Sequence, residues 1–427
     1  MAIMKNIHPA IVPQLVPQLV PQPAPQLVSQ LAHTNQPAAF FSDAREGAQA
    51  LRQSRIREVA NAGMGMTDLL AFWFGEPDQV TPDFIREAAK QALDAGATFY
   101  TQNLGIPPLR EAIARYVSTL HRPIDANHVA VTSSGVSALM LVYQALFDPG
   151  DRVVIVTPVW PNITEGPKIL GALVTRVALH YEHGWKLDLV RLLAALTPET
   201  RAVIINSPNN PTGWCMDRAS QEIVLAHCRK HGIWIIADDV YERLYFAPDA
   251  HCAPTFLDLA QDDDLVISTN SFSKSWLMTG WRLGWIIAPP RLTEEFAKLI
   301  EYNTSCAPSF IQQAGVVALE QGETVTLQFR RRLQAARDFL VERLMGLQGV
   351  EVAAPPGAMY VFVGIEGVTD SVGFAKQLAR EQKLGLAPGV AFGPEGEGYL
   401  RWCFASSIAR LEDGVNRLRQ GLAALRR

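Results

Sequence analysis

The chain has 427 residues, enough for two domains with sizeable cores. Hydrophobic residues make up 48% and charged residues 19%, a globular balance; the net charge of −4, from 38 basic and 42 acidic side chains, argues against nucleic acid or an anionic membrane as partner. The five cysteines (Cys215, Cys228, Cys252, Cys306 and Cys403) are odd in number and form no CxxC, which suits a reducing cytoplasm, and no run of about 20 apolar residues marks a transmembrane helix.

The first 36 residues stand apart. Pro13-Gln14-Leu15-Val16 recurs at residues 17–20 and again at 25–28. Proline at this density blocks helix and sheet ladders alike, so a disordered tail is expected, with a docking segment for a proline-binding module as the alternative. The prolines interrupt any signal-peptide core, and the arginines of a transit peptide are missing.

A helix is expected over residues 42–60, with Ile56 and Val59 on one face. A short strand over 69–74 ends at the turn Gly75-Glu76-Pro77-Asp78. Thr81-Pro82 opens a helix to about residue 95, residues 98–105 form a loop, and 108–120 the next helix. Strands then fall at 129–132, 152–157, 172–179, 202–206, 233–237, 265–269 and 284–288, with helices such as 135–147 and 217–231 between them. Short apolar strands alternating with helices predict an α/β fold with a mainly parallel sheet covered on both faces. Helices follow from 292 to about 302, over 310–319 and over 325–348, the last with Arg330, Arg331 and Arg332 outside. Residues 351–353 and 359–363 alternate like a half-buried sheet, and helices 371–382 and 410–425 flank a strand at 399–404. That end of the chain reads as a smaller α+β domain. The expected division is a tail over 1–36, a segment over 37–70 that joins the small domain, a large domain over 71–308 and a small domain over 309–427.

Four places along this frame carry chemistry. Lys274, in Ser271-Phe272-Ser273-Lys274-Ser275-Trp276, follows a buried strand and has no carboxylate close in sequence. It is either a solvated loop residue or a reactive amine. Ser133-Ser134-Gly135-Val136-Ser137 joins a strand to a helix, and the free N–H groups of that helix start make an anion cup. Asn206 to Gly213 (NSPNNPTG) fixes an amide side chain at a strand end, or is a plain turn. Asp238 follows the apolar run Ile235-Ile236-Ala237, where a carboxylate is costly without a cation, unless it caps a turn.

Together the order is Ser134-Gly135, Trp160, Asn210, Asp238, Tyr241, Ser271, Lys274 and Arg282, each expected at or just beyond the C-terminal end of a strand. NPTG at Asn210, DxxY from Asp238 to Tyr241, SxxK from Ser271 to Lys274 and GxRxG around Arg282 occur in the order seen in fold-type-I pyridoxal-phosphate enzymes. From Leu69 to the C-terminus the chain resembles the class I/II aminotransferases. The resemblance implies a seven-stranded large domain and pyridoxal 5'-phosphate held as a Schiff base on Lys274, which then moves the proton between Cα and C4′. It implies that Asp238 keeps the pyridine nitrogen protonated, that Tyr241 and Asn210 bond the phenolic oxygen, and that Trp160 stacks on the ring. Ser134, Gly135, Val136, Ser271 and Arg282 would form the phosphate site. Tyr100 resembles the tyrosine that reaches the partner subunit's phosphate, which implies a homodimer with shared sites. Arg401, in Leu400-Arg401-Trp402-Cys403-Phe404-Ala405, resembles the family's carboxylate-binding arginine, and Gly75 would present backbone to the same carboxylate.

The reaction implied is transfer of an amino group from an L-amino acid to a 2-oxo acid in the cytoplasm. Val136 stands where bacterial aspartate aminotransferases of this subgroup often carry a lysine. With Trp73, Phe74, Trp160 and Trp276 expected near the pocket, an apolar or aromatic donor is favoured over aspartate. Two rivals remain: a β-eliminating carbon–sulfur lyase, which uses the same electron sink, and a transcriptional regulator with this fold, for which no helix-turn-helix pattern or basic excess is present. No metal site is expected: His227 and His231 flank Cys228 at helical spacing without a third ligand, and His180 and His183 fare no better. Gly393 to Gly398 lacks the strand and helix of a dinucleotide site.

Overall fold

The structure, a computed structural model, describes residues 44–425. The proline-rich tail lies outside the described residues. Glu46–Gln49 form one helical turn, described by itself. From Ala50 onward the chain is one compact unit.

Seven strands make the central sheet: β2 (Val129–Thr132), β3 (Arg152–Thr157), β4 (Leu173–Ala178), β7 (Thr200–Asn206), β8 (Trp234–Asp238), β9 (Val266–Ser271) and β10 (Gly284–Ile287). The remaining strands before β10 are β1 (Leu70–Ala71) and the hairpin β5 (His180–Tyr181) and β6 (Trp185–Lys186). The sheet order is β2-β10-β9-β8-β7-β3-β4. Neighbours from β9 to β4 run parallel, while β10 is antiparallel to both β2 and β9. No α-helix lies between β9 and β10, so the chain turns straight back along the strand it has just left.

Alternate residues of each strand feed opposite faces. Val153, Ile155, Ala202, Ile204 and Ile236 pack with helices Gly135–Leu146 and Thr293–Glu301. Val154, Val156, Val203, Ile205 and Ile235 pack with helix Arg218–His231. Both faces are dry, which is why these strands read as unbroken Val/Ile runs. Helix Arg218–His231 begins where the Asp217 carboxylate accepts the Ser220 N–H at 2.8 Å, and it ends at Gly232, whose φ of 67° suits a residue without Cβ.

A second sheet is antiparallel: β11 (Val350–Glu351), β12 (Tyr360–Ile365), β15 (Tyr399–Cys403) and β14 (Ala387–Pro388). Beside it, β13 (Leu384–Gly385) pairs with β1 in parallel. Its core takes in Ile56 and Val59 together with residues of helices Glu323–Met345, Ser371–Glu381 and Ile408–Leu425.

The structure corrects four expectations. The helix expected over 42–60 is not continuous, because Ser54 is extended and its Oγ caps a separate helix, Arg55–Ala62, by accepting the Arg57 N–H. The strand expected over 69–74 shrinks to Leu70–Ala71, since the Trp73 carbonyl leaves the ladder to accept from Arg401. Strand β12 does not alternate; it is buried at every position, with Phe362 stacked on Tyr399 and edge-on to Phe392. Of the three arginines placed outside on helix Glu323–Met345, only Arg331 is exposed. Arg330 donates to the Ala250 carbonyl, and Arg332 binds Asp78 at 2.6 Å. Among the described residues no helix is long and apolar enough to cross a membrane.

Candidate active site

The parallel strands deliver their C-terminal ends to one edge of the sheet, and a cavity of about 680 Å³ opens there. Asp238, the last residue of β8, sits in register between Asn206 of β7 and Thr269 of β9. Lys274 leaves the loop after β9. Both line the cavity, as do Asn210, Tyr241, Arg282 and Arg401.

Asp238 is buried, and the Asn206 side chain donates to its carboxylate at 3.2 Å. Burial pushes the Asp238 carboxyl up to about 7; the Val240 N–H, the Lys274 charge and Thr269 pull the other way and only partly offset it. Lys274 Nζ donates to the Gly75 carbonyl at 2.6 Å and lies 5.8 Å from the Tyr241 ring centre. Burial brings this amine down to about 8, helped by the positive charges of Arg401 and Arg282. An amine lowered and a carboxyl raised by burial in one cavity suit proton transfer.

An anion cup lies at one end. Gly135 and Val136 open helix Gly135–Leu146 and line the cavity, while Ser134 is spent on the cap, its Oγ accepting the Ser137 N–H at 3.0 Å. Ser134 itself is buried and does not form the wall. Ser271 Oγ lies 2.8 Å from Ser273 Oγ. Arg282 Nη1 donates to the Thr279 carbonyl at 2.6 Å and reaches Ser273 Oγ at 3.5 Å. Gly284 is required behind this cup: a Cβ there would meet the Asn270 carbonyl oxygen, the Gly135 nitrogen and the Ser134 carbonyl carbon, each at 2.7 Å.

A second anion point is Arg401, on β15 and 2% exposed. Its Nη1 donates to Asn210 Oδ1 at 2.9 Å and its Nη2 to the Trp73 carbonyl. The guanidinium lies 4.4 Å from the Tyr360 ring centre and 4.9 Å from that of Phe392, and its Nε is buried without a partner. Among the described residues no carboxylate forms an ion pair with Arg401 or Arg282. A buried guanidinium left in this state favours an incoming carboxylate.

Tyr241 Oη is 2.7 Å from Tyr360 Oη, and burial raises the Tyr241 hydroxyl well above its ordinary pKa, so it stays a neutral donor. Gly75 passes so close to Tyr360 that a Cβ would collide with the hydroxyl at 2.0 Å. Trp160 and Phe74 line the cavity, as expected. Trp276 does not: it is buried among Tyr116, Phe272 and Trp285 in a separate core. The Trp73 ring packs in the core around Gly385. Tyr100 is 89% exposed and is not on the cavity wall. His227 Nε2 is engaged by the Leu196 carbonyl at 2.7 Å, and among the described residues no cluster of three or more His, Cys, Asp or Glu could hold a metal.

Sequence reasoning missed Tyr360, Ser273 and Arg57 on the cavity wall. Ser273 lay in plain view inside the lysine motif. Tyr360 and Arg57 carried no local signal, since each arrives from a distant part of the chain.

The chain is similar to known proteins over most of its length. The model of the family "aminotransferase class I and II" matches residues 67–418. An aspartate aminotransferase of Pyrococcus horikoshii is 34% identical over 376 residues, covering 87% of this chain and 95% of that protein. The aromatic-amino-acid aminotransferase 2 of Thermococcus litoralis is 32% identical, covering 88% of this chain and 97% of that protein. The solved aspartate aminotransferase of Thermotoga maritima superposes with a TM-score of 0.83 at 32% identity, over 89% of this chain and 100% of that one.

Proposed function

The chain belongs to the class I and II aminotransferases, and from that premise we propose that it moves the amino group of an L-amino acid to a 2-oxo acid, using pyridoxal phosphate held on Lys274. Enzymes of this family depend on pyridoxal phosphate. The observation that carries the reading is that one cavity is lined by Lys274, Asp238, an anion cup and the buried Arg401, which among the described residues has hydrogen bonds but no carboxylate partner. That set fits an aromatic aldehyde with a ring nitrogen and a phosphate.

Bound there, the cofactor supplies a cationic ring that accepts the electron pair left when a substrate Cα proton departs. The protein's part follows from its own groups. Lys274, its amine lowered by burial, would take the Cα proton and return it two bonds away, at the cofactor's former aldehyde carbon. Asp238 would ionise beside the ring nitrogen and hold a proton there. Tyr241 would donate to the ring oxygen, its orientation fixed by Tyr360. Gly135, Val136, Ser271 and Arg282, with Ser134 holding the helix start, would bind the phosphate, and Trp160 would cover the ring. Arg401, steered by Asn210, would take the substrate carboxylate beside Gly75.

Phe74, Val136, Leu139 and Trp160 give the cavity an apolar wall, which supports a donor with an apolar or aromatic side chain. The exposed Tyr100 supports a homodimer in which that ring reaches the partner's phosphate site. The large domain would span residues 71–308 and the small one 309–427, and five unpaired cysteines suit the cytoplasm. The test is a panel of L-amino acids mixed singly with the cofactor-loaded protein while the bound cofactor's absorbance is followed. L-phenylalanine should discharge that absorbance faster than L-aspartate. Release of pyruvate and ammonia from L-cysteine with no oxo acid present would point to the eliminating lyase instead.

A further inference from the structure

His121, the C-cap of helix Pro107–Leu120, has a side chain only 1% exposed, held between two carboxylates. Its Nδ1 lies 2.7 Å from Asp258 Oδ1 and its Nε2 3.0 Å from Glu242 Oε2. With both carboxylates ionised, both ring nitrogens donate and the ring is an imidazolium. Burial works against that charge, but the bonds to Asp258 and Glu242 outweigh it and lift the imidazole to about 10.

The contact does not stop at Glu242. Its other oxygen, Oε1, accepts the Asn270 Nδ2 at 2.8 Å. Asn270 Oδ1 in turn accepts the Ser271 backbone N–H at 2.7 Å. Ser271 Oγ meets Ser273 Oγ at 2.8 Å, and Ser273 Oγ faces Arg282 at 3.5 Å. An unbroken chain of polar contacts thus joins a histidine outside the cavity wall to the anion cup. At Asn270 its direction is fixed. An ionised Glu242 can only accept, so the amide nitrogen of Asn270 must face it and the amide oxygen must face Ser271. A carboxamide in place of Glu242 could donate, and the Asn270 carboxamide would lose its reason to stay in that orientation. His121 holds the other oxygen of the same carboxylate.

We propose that His121 is a positioning residue for the phosphate cup, acting through Glu242 and Asn270 to fix Ser271, Ser273 and Arg282. The inference rests on the cofactor reading above. The test measures equilibrium binding of pyridoxal 5'-phosphate and of unphosphorylated pyridoxal to the cofactor-free protein, its His121→Gln and Glu242→Gln variants, and the double variant. The unaltered protein should prefer the phosphorylated ligand. Each single variant should lose about tenfold of that preference, the size of one charged hydrogen bond, with pyridoxal affinity unchanged. The double variant should lose no more than either single one. A folded variant that keeps the full preference, or weakens both ligands equally, overturns the role of His121. Should His121→Gln fail to fold, Glu242→Gln reads the same chain on its own. An unaltered protein with no preference for the phosphorylated ligand overturns the cofactor reading itself, and this inference with it.

Discussion

Arg401 and Asn210 meet across 191 residues of sequence, with Nη1 donating to Oδ1 at 2.9 Å in a buried setting. The bond settles how both side chains face the cavity. Asn210 spends its oxygen on the arginine and keeps its amide nitrogen as a donor. Arg401 has no carboxylate partner among the described residues, which leaves its charge available to a ligand. A lysine could carry the charge but not the fork. Arg401→Lys should therefore cut kcat/KM for amino acids by about 100-fold, on the order of 3 kcal/mol. The loss should appear mainly in KM. An unchanged KM, read in a steady-state assay, would remove Arg401 from substrate binding.

The Asp238 carboxyl gives a pH signature in the cofactor-free protein. Its folded pKa of about 7 lies above the ordinary 3.8. The folded state therefore binds this proton more tightly than the unfolded chain does. Stability from this group is present below about pH 4 and drains away as pH rises to about 7, by about 1.4 kcal/mol per unit at most. Asp238→Asn should flatten that part of the curve of melting temperature against pH. Parallel curves for the two proteins would contradict the assignment.

A Cβ added at Gly284 would meet backbone atoms of both Asn270 and the Ser134–Gly135 turn at 2.7 Å. Backbone cannot swing aside as a side chain can. Gly284→Ala should lower stability by about 1–3 kcal/mol. It should also weaken pyridoxal phosphate binding, because the displaced elements are the cup. Calorimetry and ligand titration read the two effects separately.

The fold and most of the site were legible because one rule links them: in an open sheet, residues just past parallel strands share an edge. That rule places Asn210, Asp238 and Lys274 together from their positions alone. It says nothing of where rings point. Trp276, inside the lysine motif, turns into the core beside Tyr116, while Tyr360, on a strand read as half-buried, supplies the hydroxyl that meets Tyr241. Arg57 and His121 were silent for the same reason, since each acquires its meaning from contacts made far along the chain. The tract 330–332 misled differently: arginines are mostly exposed, yet Arg330 and Arg332 find fixed acceptors on loops that no periodicity reveals.

Val136 occupies the first turn of the helix that forms the cup and lies on the cavity wall with Phe74 and Trp160. Val136→Lys would place an ammonium in that apolar stretch. The ratio of kcat/KM for L-aspartate over L-phenylalanine should rise by about tenfold or more, the worth of one charge-assisted bond. A ratio that does not move would mean the donor side chain binds elsewhere.

The central claim is that the Lys274 amine carries the cofactor. Purified protein supplied with pyridoxal phosphate, reduced with borohydride and digested, locates the attachment directly by mass. A single adduct on Lys274, absent from Lys274→Ala together with amino-acid turnover, is the predicted result. An adduct on another lysine, or full turnover in Lys274→Ala, would contradict it.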